Sequence, residues 1–235
     1  MLTQLRRVLK SHANASKAEV LRKFFRTGKG QYGHGDRFLG ITVPVLRRIA
    51  APFAGLALDG IAVLLKSPLH EERLIALIIL VGQFKKGDEQ QRAKIYGFYL
   101  HNTACVNNWD LVDLSAHHIV GAYLEGKSKA VLKRLAASSL LWERRIAMVA
   151  TWHDIKKGRP QPALTIARIL LKDEHDLMHK AVGWMLREVG KRVSMAVLGN
   201  FLRQNYQSMP RTMLRYAIEH FPEHERQAFL KGLVQ

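Results

Sequence analysis

The sequence predicts an all-α fold made of stacked antiparallel helix pairs, and two observations support this prediction. Apolar residues recur at three- and four-residue spacing along almost all of the 235 residues, whereas no segment sustains a two-residue alternation. In addition, the segment from His70 to Gly87 is echoed by the segment from Leu141 to Gly158, 71 residues later. A repeat of helical segments indicates units that bury their apolar faces against their neighbours.

The N-terminal part contains two predicted helices and a glycine-rich connection. The first helix is LTQLRRVLKS, and the second is AEVLRKFFRT with Ser16 as its N-cap. Four glycines occur in the next segment, from Gly28 to Arg37. We interpret this segment as a surface connection, because it lacks the Lys-Ser/Thr of a phosphate-binding P-loop and follows a helix instead of a strand. Its Lys29 and Arg37 are still candidates for contacting a phosphate backbone.

Proline, glycine and capping residues divide the rest of the chain into helices. Pro44 lies in a predicted first helical turn. The predicted N-caps are Asp59, Asp88 and Ser128. The predicted helix ends are Gly87 for the helix from Leu69, Gly126 for the helix of Trp109, and Gly158 for the helix from Leu140. Later helices are predicted at about residues 161–171, 175–191, 194–204, 211–221 and 222–233.

The internal echo has a regular period. A Glu-Arg pair at residues 72–73 recurs at residues 143–144, and both copies end in Lys-Lys-Gly. Weaker echoes of the segment at Arg145 begin at Lys180 and at Arg215, each 35 residues further along. A period of this length is typical of paired-helix repeats. We therefore predict an α-solenoid, a superhelix of HEAT-like antiparallel helix pairs with a concave groove.

The charge of the chain points to a polyanionic partner. Lys and Arg outnumber Asp and Glu by 37 to 19, which gives a formal net charge of +18 and a pI near 10.3. Such a surplus favours nucleic acid first and an anionic membrane surface second, and the chain lacks the strongly basic amphipathic helix that membrane binding requires. We predict a single repeat domain, residues 1–235, whose groove is basic.

Other classes of protein are disfavoured. Cys105 is the only cysteine, which excludes a disulfide framework and a thiolate zinc cluster and suits a cytoplasmic protein, associated with the nucleoid in a prokaryote. The longest apolar run, residues 74–81, is far shorter than the roughly 20 residues of a membrane span. HEER at His70 is not a HExxH motif, and the adjacent His117 and His118 diverge on a helix, so we expect no metal site.

The stretch NNWDLVDL, residues 107–114, holds the most informative pair of side chains. Residues four apart share a helix face, so Trp109 and Asp113 are predicted to stand side by side while Asp110 points elsewhere. A carboxylate in so basic a chain repels a polyanion unless it has a use. An aromatic face beside one carboxylate therefore marks a candidate site.

A second candidate position comes from the echo. Leu74 of the first copy corresponds to Arg145 of the second, so an apolar position of the repeat has become a guanidinium. A guanidinium is costly to bury unpaired but suits a phosphate if it lines a groove. Because stacked repeats align equivalent positions, we predict that Trp109, Asp113, Arg145 and Trp184 meet in the groove. Trp142 and Trp152 are assigned to packing.

At these residues the chain resembles the AlkD-like DNA alkylation repair glycosylases, which are HEAT-like solenoids. The resemblance extends from FLGITVPVLRR through NNWDLVD and WERRIA to HKAVGWMLREVGK. It implies excision of N3- and N7-alkylated purines from double-stranded DNA, without metal or cofactor, while the damaged base stays stacked. In this respect the family differs from most glycosylases, which flip the base.

The resemblance also implies roles for individual residues. Asp113 corresponds to the catalytic carboxylate, Trp109 to its neighbouring tryptophan, Trp184 to the second tryptophan and Arg145 to the arginine that contacts DNA. Arg144 is the alternative for this last assignment. The further phosphate candidates lie near the predicted groove or at helix ends and are Lys156, Lys157, Lys180, Arg187, Lys191 and Arg215.

The leading hypothesis is therefore a monomeric DNA glycosylase that needs no protein partner. A purine alkylated at N3 or N7 is already cationic and leaves without a general acid, so one ionised carboxylate suffices to stabilise the oxocarbenium-like sugar and position water. The alternative is a non-catalytic HEAT-type solenoid that binds nucleic acid or an acidic protein through the same groove. The set of Trp109, Asp113 and Arg145 favours the enzyme, since a phosphate binder gains nothing from a carboxylate.

Overall fold

The computed structural model describes residues 1–234, and their all-helical structure confirms the predicted fold class. In chain order the α-helices are α1 (Leu2–Ser11), α2 (Ala15–Phe24), α3 (Val43–Ala50), α4 (Leu58–Leu65), α5 (His70–Lys86), α6 (Glu89–His101), α7 (Trp109–Ala116), α8 (Ala130–Ala136), α9 (Leu141–Ala150), α10 (Trp152–Ile155), α11 (Gln161–Leu170), α12 (Asp176–Arg192), α13 (Met195–Asn205), α14 (Arg211–Ala217) and α15 (Glu223–Lys231).

Short irregular elements connect these helices. A π-helical turn, His117–Gly121, continues α7. Short 3-10 helices cover Ala51–Phe53, Thr103–Cys105 and Tyr206–Ser208. An isolated parallel bridge joins Arg37 to Leu69. Among residues 1–234, no helix has the length and apolar character needed to cross a membrane.

The chain divides into two compact units, Met1–Ile119 and a second unit that begins at Val120. In the first unit, α5 is the central helix and packs against α3, α4, α6 and α7. In the second unit, α12 is central and packs against α9, α10, α11, α13 and α14. The apolar faces of these two long helices supply fully buried core residues, including Ile75, Leu77, Leu80, Val182, Met185 and Leu186.

The 71-residue echo corresponds to two helices that begin in the same way. The backbone N–H of Leu69, just before α5, donates a hydrogen bond of 3.1 Å to the Ser67 hydroxyl oxygen. Leu140, just before α9, donates to the Ser138 hydroxyl oxygen, also at 3.1 Å. Position 74 and its counterpart Arg145 are both buried, with 4% and 5% of their surface exposed. The repeat therefore extends from sequence to local hydrogen bonding.

Several predicted helix starts are displaced by a few residues. The prediction of Ser16 as the cap of α2 was wrong, because Asn14 precedes the helix and its side chain accepts a hydrogen bond of 2.9 Å from the Lys17 N–H. Asp59 lies inside the first turn of α4 and does not cap it. The prediction of Asp88 as the N-cap of α6 was correct, since its carboxylate accepts a hydrogen bond from the Gln91 N–H at 2.8 Å.

Predicted helix boundaries after residue 116 also needed correction. The helix of Trp109 does not run regularly to Gly126, because a π-helical turn follows Ala116. Lys129, not Ser128, directly precedes α8, but the Ser128 hydroxyl oxygen accepts a hydrogen bond of 3.3 Å from the N–H of Ala130, the first residue of the helix. The helix predicted from Leu140 to Lys157 is interrupted at Thr151, whose hydroxyl donates to the Met148 carbonyl oxygen at 2.6 Å. Such a bond from Thr to the backbone of the preceding turn bends or ends a helix.

Candidate active site

The predicted pair of Trp109 and Asp113 lies on α7, one turn apart. The helix begins at Trp109 because the Asn108 side chain caps it, accepting a hydrogen bond of 2.8 Å from the Trp109 N–H. Leu111 and Val112, on the other faces of the helix, are fully buried. Trp109 and Asp113 are each partly exposed, so the helix presents them at the surface of the first unit.

An aromatic wall, formed by Phe24, Phe25 and Phe38, extends from the Trp109 indole. Phe25 stacks on Trp109 with ring centroids 5.2 Å apart and planes inclined by 20°. Phe24 meets the same indole edge-on at 5.8 Å and is itself 62% exposed. Phe25 also stacks on Phe38, with centroids 5.1 Å apart. An exposed phenyl ring beside the indole enlarges the apolar surface available to a base or sugar.

The first turn of α7 is attached to α5 through His70. The imidazole contacts the Asp110 carboxylate at 2.7 Å through Nε2 and the Asp36 carboxylate at 3.2 Å through Nδ1. Burial alone lowers the pKa of His70, but the hydrogen bonds to Asp110 and Asp36 outweigh it and raise the pKa to about 9. His70 is therefore an imidazolium at neutral pH, held between two carboxylates.

Asp36 is the second anchor of this network. Burial raises the pKa of Asp36, but the hydrogen bond from His70, the charge of Arg73 and a hydrogen bond from Asn108 together lower it. The Arg73 guanidinium lies 2.6 Å from one carboxylate oxygen, and the Asn108 amide donates to the other at 3.1 Å. The residue that caps α7 is thus itself fixed by the glycine-rich loop.

The two aspartates of the motif have different surroundings. Asp110 binds His70 and accepts a hydrogen bond from the Leu111 N–H at 2.8 Å, as expected for a carboxylate that points away from Trp109. The charge of Asp113 instead acts on Tyr99. Burial raises the pKa of this phenol, a hydrogen bond with Ser115 at 2.9 Å opposes the increase, and the negative charge of Asp113 adds to it. Asp110 therefore supports the helix, while Asp113 lies close enough to Tyr99 for its charge to act on that phenol.

Two adjacent arginines of α9 have distinct partners in the second unit. Arg144 binds the Asp173 carboxylate at 2.6 Å and the carbonyl oxygens of Ser138 and Ser139 at 3.1 and 2.9 Å. Arg145 is 5% exposed and donates to the carbonyl oxygen of Leu177, in the first turn of α12, at 2.7 Å. Arg144 therefore stabilises the start of its own helix, and Arg145 connects α9 to α12.

Trp184 projects from α12 toward Trp152. The two indoles meet edge to face, with centroids 4.7 Å apart and an angle of 82°. Lys156 and Arg192 lie over the Trp152 ring at 5.7 and 6.0 Å. Trp184 is partly exposed, so it combines a packing contact with an accessible face. Trp152, assigned to packing by the sequence, is the residue that supports it.

Some of the remaining candidates for phosphate binding already form ion pairs with carboxylates of the chain, and others do not. Hydrogen bonds from Lys157, His153 and Arg159 lower the pKa of Glu125 to about 2. Lys157 is therefore already paired with a carboxylate of its own chain. Lys180 lies 2.6 Å from Asp176, and Arg187 pairs with Glu219. The candidates at the surface without an ion pair within residues 1–234 are Lys191 and Arg215.

The structure brings together some of the predicted residues within each unit. Trp109 and Asp113 share α7 in the first unit, and the second unit contains the arginines of α9 together with Trp184 of α12. Sequence reasoning missed His70 and the aromatic wall. The local signals for them are weak. His70 lies in the HEER motif, which indicates only a helix start, and two wall residues are the adjacent phenylalanines at the end of α2. Within residues 1–234, no group of three or more His, Cys, Asp or Glu side chains is arranged to hold a metal ion.

Comparison with known proteins places this geometry in context. The family model described as DNA alkylation repair enzyme matches residues 5–221. A solved structure described as a predicted DNA alkylation repair enzyme from Enterococcus faecalis superimposes with a TM-score of 0.70, covering 90% of this chain and 98% of its own, at 13% sequence identity. At that identity the likeness concerns the fold. A search of curated proteins returned no match.

Proposed function

The chain belongs to the DNA alkylation repair enzyme family, and from this premise we propose that it is a DNA glycosylase that releases cationic N3- and N7-alkylated purines. Double-stranded DNA is the proposed partner and water the second substrate. The damaged base leaves while it is still stacked in the duplex. We propose further that the protein acts as a cytoplasmic monomer without metal or cofactor.

The chemistry requires one carboxylate. An alkylated purine already carries positive charge, so its bond to the sugar breaks without protonation of the leaving group. The sugar becomes an oxocarbenium-like cation, which ionised Asp113 stabilises while it positions the attacking water. At about 4 Å and an effective dielectric constant near 20, such a charge pair is worth roughly 4 kcal/mol, on the order of three decades in rate.

The observation that carries this proposal is the placement of Trp109 and Asp113 one turn apart on a helix whose start is fixed. Asp110 is committed to His70 at 2.7 Å, so the two carboxylates of the motif have separate tasks. The aromatic wall beside Trp109 supports the same reading, because indole and phenyl faces attract a cation by roughly 0.5–2 kcal/mol and exclude water.

The second unit supplies the other proposed contacts. Arg145 holds a phosphate beside the lesion, and Trp184 lines the sugar-phosphate side. Further phosphate contacts come from Lys156, Lys157, Lys180, Arg187, Lys191 and Arg215, with Arg144 in a supporting role. Five such contacts give a slope of roughly −4.5 for log K against log salt concentration.

Base release from duplex DNA containing N7-methylguanine tests this function. Wild-type protein is expected to release the base, and Asp113→Asn is expected to slow release by about three decades while it binds the duplex at least as tightly. Asp59→Asn, which removes an exposed carboxylate in the first turn of α4, is the matched control and should leave the rate unchanged. Tight binding without release of N7-methylguanine or N3-methyladenine would instead establish the non-catalytic solenoid.

A further inference from the structure

The glycine-rich loop and α2 line an open surface cavity that the proposed chemistry does not use. Its volume is about 820 Å³, and it lies within the first unit. Three basic side chains line it, those of Arg22, Lys23 and Arg37. The loop therefore does more than connect two helices: it forms one wall of a basic concavity.

The carboxylates of this cavity are already engaged. Glu19 pairs with Arg22 on α2 and lies 3.9 Å from the Lys23 ammonium. Asp36 is directed toward α5, where Arg73 approaches it to 2.6 Å. The Lys23 side chain is 80% exposed, and the guanidinium of Arg37 has no ion pair within residues 1–234. A net positive charge thus faces the solvent at this position.

The loop is attached to the first turn of α5 at several points, which fixes the position of Arg37. Its backbone N–H donates to the Pro68 carbonyl at 3.0 Å, and its carbonyl accepts from the His70 N–H at 2.8 Å. A few residues later, the Glu71 carboxylate accepts hydrogen bonds from three consecutive N–H groups, those of Leu39, Gly40 and Ile41. These bonds fix the backbone of Arg37, so only its side chain has to be ordered when it binds an anion.

The cavity also lies close to the candidate active site. Phe38 lines it and stacks on Phe25 at 5.1 Å, and Phe25 stacks on Trp109 at 5.2 Å. The Phe38 and Trp109 rings are therefore at most about 10 Å apart, which corresponds to roughly three base pairs of B-DNA at about 3.4 Å each.

From these observations we infer that the cavity is a phosphate subsite for the DNA backbone, in which Lys23 and Arg37 bind phosphates within about three base pairs of the damaged nucleotide. This inference rests on the proposed function for its register relative to the lesion. The binding of backbone phosphate itself requires no catalysis. Because it contacts backbone and not bases, the subsite adds affinity and register without sequence preference.

The test compares two double variants that each remove two positive charges. Lys23→Gln/Arg37→Gln alters the cavity, and Lys85→Gln/Lys86→Gln alters exposed lysines at the far end of α5, about 24 Å from the turn that holds the loop. Affinity for an undamaged duplex is measured at several salt concentrations. The cavity variant should reduce the salt slope by about 1.8, the value for two phosphate contacts, and the distal variant should leave it unchanged. Equal slopes for wild type and cavity variant, or equal losses in both variants, would overturn the inference.

The register is tested with a duplex carrying one N7-methylguanine and a neutral methylphosphonate at successive positions. Among the phosphates one to three base pairs from the lesion, neutralising those bound by Lys23 and Arg37 should weaken binding by the wild type but not by Lys23→Gln/Arg37→Gln. Neutralising the phosphate held by Arg145 should weaken both proteins equally. If no position weakens the wild type alone, the inference fails. If inorganic phosphate at millimolar concentration competes fully with the duplex, the cavity is a site for the free ion and the inference fails. Since the slope on undamaged DNA is independent of base release, absence of glycosylase activity would leave this result interpretable.

Discussion

Arg73 and Arg144, 71 residues apart, make the same contact at the start of their respective helices. Arg73 donates to the carbonyl oxygen of Ser67 at 2.7 Å, and Arg144 donates to that of Ser138 at 3.1 Å. Each guanidinium also binds an aspartate at 2.6 Å, Asp36 in the first unit and Asp173 in the second. An arginine that ties a helix start to a neighbouring loop is therefore a repeated structural element.

This relationship separates the roles of the two neighbouring arginines of α9. Arg144→Gln removes an ion pair and two hydrogen bonds to backbone carbonyls, so we expect a loss of roughly 2–3 kcal/mol in the free energy of unfolding. Arg145→Gln should reduce base release by about 10- to 100-fold per folded molecule, the equivalent of one charged hydrogen bond. Denaturant unfolding and single-turnover base release on both variants check these expectations. If folded Arg145→Gln releases the base at the wild-type rate, Arg145 does not make the proposed phosphate contact.

Glu71 should be one of the most sensitive positions for stability. Its carboxylate, on a residue only 1% exposed, accepts hydrogen bonds from Leu39, Gly40 and Ile41 at 2.9, 2.8 and 3.2 Å. Glu71→Gln replaces one carboxylate oxygen by an N–H₂ group, so at least one of these N–H groups loses its acceptor, and we expect a loss of roughly 2–3 kcal/mol by denaturant unfolding. Glu89→Gln, in the exposed first turn of α6, is the matched control, with an expected change below about 0.5 kcal/mol. Equal effects of the two variants would contradict the assigned role.

The predictable features are those encoded by short-range spacing. The four-residue separation of Trp109 and Asp113 is enough to place them on one helix face, and the 71-residue echo is enough to identify α5 and α9 as equivalent. The role of His70 was not predictable, because its partners Asp36 and Asp110 are 34 and 40 residues away in the sequence. No local pattern specifies which distant carboxylates a buried imidazole will meet.

The aromatic wall and the breaks in the helices were missed for a related reason. Phe24 is the last residue of α2 and Phe25 follows it, and adjacent residues at a helix end point in different directions, so the sequence gives no reason to expect both rings at one indole. Their contacts with Trp109, edge-on for Phe24 and stacked for Phe25, depend on the packing of elements more than 80 residues apart in sequence. The interruption at Thr151 likewise depends on whether its hydroxyl bonds to the preceding turn, an alternative that Thr has in any helix.

Gly183 should be required for the packing of α12 against α14. A Cβ at this position would lie 2.5 Å from both the Met213 carbonyl oxygen and the Cβ of Tyr216. Gly183→Ala must therefore push the helices apart, and we expect a loss of roughly 2–3 kcal/mol in the free energy of unfolding. Gly97→Ala is the control, because Gly97 is an exposed helical glycine and a Cβ added there would meet no atom within 4 Å. This variant should be up to about 1 kcal/mol more stable than wild type, and a stable Gly183→Ala would contradict the close approach.

The contribution of His70 to stability should decrease in alkaline solution. Its pKa is raised from 6.5 to about 9 in the folded protein, so folding favours the imidazolium. The contribution is fully present below pH 6.5 and is lost as the pH rises through about 9. The shift corresponds to roughly 3 kcal/mol. Between about pH 6 and pH 9.5, wild type is therefore expected to lose more unfolding free energy than His70→Gln, which cannot gain the charge.

The comparison isolates His70 because other titrating groups are shared by wild type and variant. His101→Gln provides the matched control: His101 is exposed in the last turn of α6, and its replacement should leave the pH dependence of wild type unchanged. Urea unfolding at half-unit pH intervals gives the slope for each protein. Parallel curves for wild type and His70→Gln would show that the imidazolium between Asp36 and Asp110 does not stabilise the fold, and that the first turn of α7 is held by the Asn108 cap and apolar packing.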